Sequence, residues 1–348
     1  MIFRKRKRPH KTINLALQGG GAFGAITWGV LDRLLEDPRI TIEGVSGTSS
    51  GAMNAVAMAQ GLISGGREAA RATLAQFWID IAQEVPNSLH QKHPLAEWHE
   101  NLGINAFPAL KYVDMTRLWS PYQMNPFGLN PVRDVLLRLI DFERLRATKH
   151  PHLFISATNV HTGKIRIFTN AEITIESLLA SACLPSLNHA VEIDNEPYWD
   201  GGYSGNPPVF PLIFGCRHSD ILLVTVQPLR REHTPTSVEA IRRRQAELSF
   251  NTAFLREMRA ITMCKEQIEQ GGWFPKGRLE RRLSQLRIHL IDAEETLNEF
   301  EADSHFNTSL PFLTKLRDIG RARTEQWLSQ HYDRIGEANT ADLADLFY

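Results

Sequence analysis

Apolar runs alternate with segments of helical spacing along the first half of the chain. Residues 13–17 and residues 40–45 each have the length and composition of a buried strand. Each run is followed by a glycine-rich turn and then by a stretch of helical spacing, at residues 25–35 and residues 52–60 respectively. Strands that alternate with helices predict an α/β fold, in which a mainly parallel sheet is covered by helices on both faces.

The second half of the chain adds further strands and then becomes mainly helical. Apolar strands are predicted at residues 221–226 and 287–292, and a long helix begins near Val238. Two more helices are predicted at residues 310–330 and 341–347. The patterns therefore divide the chain into a basic tail at residues 1–11, an α/β domain at residues 12–228 and a mainly helical extension at residues 229–348.

One segment of the α/β domain lacks a regular period. Residues 83–130 are rich in Pro, Asn, His and aromatic residues, which predicts an insertion rather than a repeat. Such an insertion can line or cover a ligand site. It can equally be an ordinary packed excursion, and the sequence leaves both interpretations open.

The turn after the second predicted strand carries the pentapeptide Gly47-Thr48-Ser49-Ser50-Gly51, a G-x-S-x-G pattern. In a nucleophile elbow the serine occupies a strained turn, and small flanking residues let the strand and the helix close around it. The pentapeptide alone is common by chance, so its position between a strand and an apolar helix gives it weight. We predict that Ser49 is a nucleophile and that Gly47 and Gly51 are the glycines of its elbow.

The turn after the first predicted strand reads Gly19-Gly20-Gly21-Ala22-Phe23-Gly24. Consecutive glycines let backbone N–H groups face one point, and the following helix adds positive potential there. In acyl transfer such donors hold the oxyanion, and one of them is worth roughly a hundredfold or more in rate. We predict an oxyanion hole built from the backbone of Gly19, Gly20, Gly21 and Ala22.

The same glycines also satisfy the dinucleotide-binding pattern G-x-G-x-x-G. That interpretation requires an acidic residue at the end of the next strand, where it would hold a ribose. Glu43 lies in the middle of the strand, and the expected position is occupied by the elbow. Nucleotide binding is therefore the weaker interpretation of this loop.

A third candidate is the sequence Asp200-Gly201-Gly202 at the end of a short predicted strand. Asp-Gly is by itself a common turn signal. A serine hydroxyl nevertheless needs a base to take its proton, and a carboxylate at a strand end that faces the elbow can do so. The residues alone leave both interpretations open.

These three motifs, in this order, resemble those of the patatin-like phospholipases, which are serine acyl hydrolases with a Ser-Asp dyad. The resemblance covers residues 12–228, and residues 312–321 resemble the C-terminal extension of a bacterial subgroup. It implies a three-layer α/β fold with a mainly parallel sheet, in which Ser49 is the nucleophile and Asp200 its base. It further implies hydrolysis of a lipid acyl ester through an acyl-enzyme, with no metal or cofactor.

The glycine loop departs from the family pattern at one position. Phe23 stands where the family usually carries a basic residue. The backbone donors survive this change, but a preference for an anionic headgroup is less expected. We predict that Phe23 packs into the protein rather than contacting an acyl chain.

Three alternatives remain at this point. His218 or His233, which both follow Asp200 in the sequence, would be the base if the site were a Ser-Asp-His triad. A lipid-binding or scaffold protein would keep the dyad without using it. A transacylase or a polyester depolymerase would use the same dyad with a different acceptor or substrate.

Composition narrows the function classes. The chain has 348 residues with 39 basic and 39 acidic side chains, and this balance argues against a nucleic-acid-binding protein. The three cysteines are scattered, which favours a reducing compartment and predicts a cytoplasmic protein. The spacing of His, Cys and acidic residues suggests no metal site.

No apolar run reaches the roughly 18 residues of a transmembrane helix, and the apolar run after the basic N-terminus is too short for a signal peptide. Five basic residues occupy positions 4–8. They would form a solvated tail or attach reversibly to anionic lipid, at about 1 kcal/mol per charge. The sequence leaves the oligomeric state open.

Overall fold

The computed structural model describes residues 10–85, 119–231, 233–271, 277–298, 300 and 302–348. The tail at residues 1–9 lies outside the described residues, as does most of the predicted insertion, residues 86–118. The described remainder of the insertion contains one short helix at Pro121–Met124.

A mixed sheet of eight strands forms the centre of the described part of the chain. The strands are β1 (Lys11–Leu17), β2 (Ile40–Gly47), β3 (His152–Asn159), β4 (Ile165–Thr169), β5 (Val191–Ile193), β6 (Glu196–Asp200), β7 (Asp220–Val224) and β8 (Arg287–Ile291). Their order is β5-β6-β3-β2-β1-β7-β8, and β4 also pairs with β3. The neighbouring strands β3, β2, β1, β7 and β8 are parallel to one another. Strands β4 and β6 pair with β3, and β5 pairs with β6, in antiparallel fashion. The predicted α/β fold with a mainly parallel sheet is confirmed.

Helices cover both faces of this sheet. They are α1 (Gly24–Glu36), α2 (Ser50–Gly65), α3 (Arg67–Glu84), α4 (Pro121–Met124), α5 (Pro131–Leu139), α6 (Phe142–Ala147), α7 (Ile175–Ser181), α8 (Phe210–Gly215), α9 (Val238–Gln270), α10 (Arg278–Ser284), α11 (Glu294–Asn298), α12 (Leu310–His331) and α13 (Leu343–Phe347). None of these helices is long and apolar enough to cross a membrane.

Each face of the sheet buries its own core, because alternate residues of a strand point to opposite faces. In β1, Ile13, Leu15 and Leu17 belong to one core and Ala16 to the other. The first core is completed by α1, α2, α3, α5, α7 and α12, and the second by α8, α9, α10 and α13. The sheet and the helices on its two faces form three layers, which is the architecture that the resemblance implies.

The C-terminal region continues the same sheet. Strand β8 pairs in parallel with β7, along Asp220–Val224. Helix α12 packs against α1, and Gly29 and Gly320 face each other where the two helices cross. A Cβ atom on either glycine would overlap the backbone of the other helix. The division at residue 228 stays a prediction, and the sheet runs across it.

Candidate active site

Ser49 lies on the turn between β2, which ends at Gly47, and α2, which begins at Ser50. Its φ of 54° and ψ of −124° are rarely adopted by a residue with a side chain. The turn is closely packed, since a Cβ at Gly47 would lie 2.8 Å from the carbonyl oxygen of Gly51. A Cβ at Gly51 would overlap the carbonyl oxygen of Leu17. The backbone has the strained strand-turn-helix geometry that the pentapeptide predicts.

Hydrogen bonds on both sides of the serine hold this strained turn. The backbone N–H of Ser49 donates to Oγ of Ser181, at the end of α7, over 3.0 Å. The hydroxyl of Thr48 donates to the carbonyl oxygen of Gly205 at 2.7 Å and lies 2.6 Å from the hydroxyl of Ser156. The position of Ser49 therefore depends on segments more than a hundred residues away in sequence.

The register of the sheet brings Asp200 to the same edge as the elbow. Gly47 of β2 pairs with Ile155 of β3, and Asp200 of β6 pairs with Ala157, two residues further along β3. Ser49 likewise follows Gly47 by two residues. Asp200 and Ser49 consequently reach the same level at the carboxyl end of β2 and β3.

The carboxyl group of Asp200 is almost fully buried, with 1% of the residue exposed. Its Oδ1 accepts a hydrogen bond from the N–H of Gly202 at 2.7 Å. Burial raises the pKa of Asp200 from 3.8 to about 7, although the Gly202 N–H and the nearby Ser49 hydroxyl act in the opposite direction. Oδ2 is buried without a well-aligned hydrogen bond to any described residue. A carboxyl group that titrates near neutrality beside a hydroxyl has the properties of a general base.

The glycine loop joins β1 to α1 and lies directly beside the elbow. A Cβ at Gly19 would come within 2.7 Å of the Cβ of Ser49. The N–H of Gly19 donates to Oδ1 of Asn206 at 2.7 Å, and Nδ2 of Asn206 donates to the Gly19 carbonyl at 3.3 Å. The N–H of Gly20 donates to Oγ of Ser50 at 3.0 Å.

Two of the four predicted oxyanion donors are thus already engaged in fixing the loop. In the described part of the chain, the N–H groups of Gly21 and Ala22 have no hydrogen-bond partner. These two donors are available to an anion, whereas Gly19 and Gly20 hold the loop against Asn206 and the elbow. The sequence did not distinguish the two roles, since both need the same glycines.

A family model described as patatin-like phospholipase matches residues 15–213, which include the end of β1, the glycine loop, the elbow and Asp200. The chain belongs to the patatin-like phospholipase family. This membership supports lipid acyl hydrolase activity in general terms. Among solved structures the chain is similar to VipD from Legionella pneumophila, with a TM-score of 0.44 and 15% identity over 97% of this chain and 72% of that one. No curated protein matches the sequence.

In this patatin-like phospholipase, Phe23 packs into the protein, as predicted. It is 6% exposed, and its ring stacks on Phe300 with the centroids 6.0 Å apart. Phe300 also contacts Phe312 of α12 edge-on, at 5.4 Å. An aromatic ring therefore fills the position of the family's basic residue because the C-terminal region packs against the loop. No pattern in residues 300–312 indicated this contact.

The same region touches the glycine loop at its backbone. Gly21 has a positive φ of 60°, and a Cβ on it would lie 2.5 Å from the carbonyl oxygen of His305. His305 belongs to a 3-10 turn at Ala302–Phe306. The loop is therefore enclosed between the elbow on one side and the C-terminal region on the other.

The structure places His218, one of the two histidine alternatives, away from the elbow. Nδ1 of His218 lies 2.8 Å from Oε2 of Glu43, near the middle of β2 and far from the turn at Ser49. Oε1 and Oε2 of Glu43 also accept hydrogen bonds from the backbone N–H groups of Arg217 and His218. His233 is exposed. Among the described residues, no group of three or more His, Cys, Asp or Glu side chains has the arrangement of a metal site.

Proposed function

We propose that this patatin-like phospholipase hydrolyses carboxylic esters of lipids through a dyad of Ser49 and Asp200. One observation carries the proposal. A buried carboxyl group whose pKa lies near 7 sits beside a serine held in a strained elbow. The charged and neutral forms of such a group are both accessible near neutral pH, as a residue that accepts and returns a proton requires.

The chemistry would proceed in two balanced steps. Asp200 takes the Ser49 proton as Oγ attacks the acyl carbonyl, and the N–H groups of Gly21 and Ala22 hold the oxyanion. The carbon–oxygen bond to the leaving alcohol then breaks, and the alcohol receives the proton. Asp200 next accepts a proton from a water molecule that attacks the acyl-enzyme, and this proton returns to Ser49 as the fatty acid leaves.

We also propose where the protein works. Cys183, Cys216 and Cys264 are free thiols, which supports a reducing, cytoplasmic location. The basic residues at positions 4–8 support reversible contact with an anionic membrane that supplies the lipid substrate. The alcohol, the chain length and the positional preference depend on the acyl pocket.

The proposal is tested by labelling the purified protein with a fluorophosphonate probe and measuring hydrolysis of p-nitrophenyl esters and phospholipids. We expect labelling and turnover in the wild type and neither in Ser49→Ala. Ser64→Ala is a matched control, because Ser64 is exposed on the same helix α2 and lies outside the elbow.

Each alternative predicts a different result. Wild-type protein that is folded by circular dichroism but neither labelled nor active on any ester would contradict the dyad mechanism and favour a lipid-binding role. Labelling with acyl transfer to added alcohols in preference to water would identify a transacylase. Full activity of Asp200→Asn would refute the assignment of the base.

A further inference from the structure

A groove lies at the edge of the sheet opposite to Ser49. This groove, of about 780 Å³, is lined by residues at the starts of three parallel strands, Thr12 of β1, Thr41 of β2 and His152 of β3. Glu43, which also lines it, precedes the end of β2 at Gly47 by four residues, roughly 13 Å at 3.3 Å per residue, and Ser49 lies beyond that end. A molecule held in the groove is therefore separate from one that is attacked by Ser49.

The groove carries a surplus of positive charge. Arg146, Lys149 and Arg217 line it, and Glu43 is its single carboxylate in the described part of the chain. Both oxygens of Glu43 are committed to backbone N–H groups of the segment at Arg217 and His218 and to the His218 ring.

The three cationic side chains lack ionic partners among the described residues. Arg146 donates one hydrogen bond, of 3.3 Å, to the carbonyl oxygen of Ile173, and Lys149 and Arg217 form no ion pair in the described ranges. The chain as a whole has a net charge of zero. The surplus is therefore not the result of a generally basic chain.

Two histidines add donors to the same wall. The rings of His150 and His152 lie 4.6 Å apart in an edge-on arrangement. Burial lowers the pKa of His152, and the nearby His150 and Arg217 lower it further. Glu43 acts in the opposite direction, and an anion in the groove would likewise favour the charged form of the ring.

We propose that this groove binds a phosphate monoester. A phosphate dianion matches the unpaired positive charges of the groove. Its oxygens accept hydrogen bonds from guanidinium, ammonium and imidazole groups, which are the groups present here. The volume lies in the range of small-molecule sites, about 300–1,000 Å³, and exceeds what inorganic phosphate fills. The groove thus has room for the organic group of a monoester, either a soluble phosphorylated metabolite or the headgroup of a lipid such as phosphatidic acid.

The test measures binding directly with the full-length protein. Isothermal titration calorimetry is carried out with inorganic phosphate and with glycerol 3-phosphate, while NMR follows the ring protons of His150 and His152. In a second arm, Ser49→Ala protein is sedimented with vesicles of phosphatidylcholine, with or without phosphatidic acid. The Ser49→Ala variant prevents hydrolysis of the vesicles and leaves the groove unchanged.

A double variant, Lys149→Gln with Arg217→Gln, removes two of the unpaired charges. We expect it to bind the phosphate probes at least about tenfold more weakly, with loss of the shifts at His152. The matched control is Lys164→Gln with Arg281→Gln, which removes the same charges from exposed positions outside the groove. If the wild type hydrolyses p-nitrophenyl esters, both double variants should do so at the same rate. Circular dichroism checks that both variants are folded.

The two arms distinguish the sources of the phosphate. Binding of glycerol 3-phosphate without added affinity for phosphatidic acid vesicles identifies a soluble metabolite, and affinity for the vesicles that the double variant loses identifies a lipid headgroup. No binding in either arm at millimolar ligand overturns the proposal. Binding that both double variants weaken equally, or that neither weakens, also overturns it, because the anion is then held elsewhere.

Discussion

Replacing Asp200 by Asn should abolish ester hydrolysis and also stabilise the protein at high pH. Burial raises the pKa of Asp200 from 3.8 to about 7. Between these values the native state binds a proton that the unfolded chain releases, so the wild type loses stability as the pH rises. The loss begins near pH 4 and is complete above pH 7. Asparagine does not ionise, so the Asp200→Asn variant does not lose this stability as the pH rises.

The change in stability follows from the difference between the ordinary pKa of Asp200, 3.8, and its pKa in the folded protein, about 7. At 1.36 kcal/mol per pH unit, burial of Asp200 costs about 1.5 kcal/mol at pH 5, where the native state must take up a proton, and about 4 kcal/mol above pH 7, where the carboxylate is buried in its ionised form. The stability advantage of Asp200→Asn should therefore grow by about 2.5 kcal/mol between pH 5 and pH 8. This growth is independent of how well the asparagine packs, since that cost is the same at both pH values.

The assay is urea unfolding followed by tryptophan fluorescence at both pH values. Ser49→Ala is the control, because it should be equally inactive but keeps the buried carboxylate; its pH dependence of stability should be at least as large as that of the wild type, since the Ser49 hydroxyl lowers the pKa of Asp200. An advantage of Asp200→Asn that stays constant with pH would refute the reasoning, since Asp200 would then have the same pKa in the folded and unfolded chains.

Four further outcomes are expected. The kcat/KM for a p-nitrophenyl ester should rise with pH and level off above about 7, because only the ionised Asp200 accepts the serine proton; a flat profile from about pH 5 to 9 would contradict this role. Gly51→Ala should lower the melting temperature and remove activity by overlap with the Leu17 carbonyl, whereas Gly271→Ala, with its nearest atom 3.3 Å away, should keep activity and lower the melting temperature far less. Phe23→Lys should destabilise the protein by about 2 kcal/mol or more in urea unfolding, because it buries a charge, while Phe23→Leu should cost less. A chain that ends at residue 228 should elute as aggregate in size-exclusion chromatography, because it exposes the edge of β7 and the face of α1 that α12 covers; a monomeric, folded fragment would refute this.

The sequence predicted the central strands and the elbow because their signals are local. A strand buried on both faces needs a continuous apolar run, and the turn at Ser49 needs glycines within two residues on either side. Strands β1, β2 and β7 therefore appear where the apolar runs predict them. The assignment of Asp200 as the base depended on the family resemblance, because an Asp-Gly turn has no distinguishing feature of its own.

The remaining parts of the site depend on contacts that leave no local signal. Asn206 holds Gly19 across 187 residues of sequence, and Ser181 holds the N–H of Ser49 across 132. Both residues lie within the range that resembles the family, but their positions in the sequence do not indicate which residues they bind by hydrogen bonds. The contact of His305 with Gly21 is also non-local, and it depends on how the last helices pack on the sheet. A pattern read along one chain shows which faces are apolar but not which of them meet.

The contact between Gly21 and His305 also has a consequence for protein synthesis. The ribosome produces Gly21 and Ser49 long before His305, whose backbone packs against the glycine loop. Strand β8, which covers the edge of β7, is also made late. Since domains complete their folding only when their non-local contacts can form, a nascent chain that has not reached His305 lacks a finished glycine loop. We expect the nascent chain to remain harmless to nearby membranes until His305 and its neighbours have been made and packed.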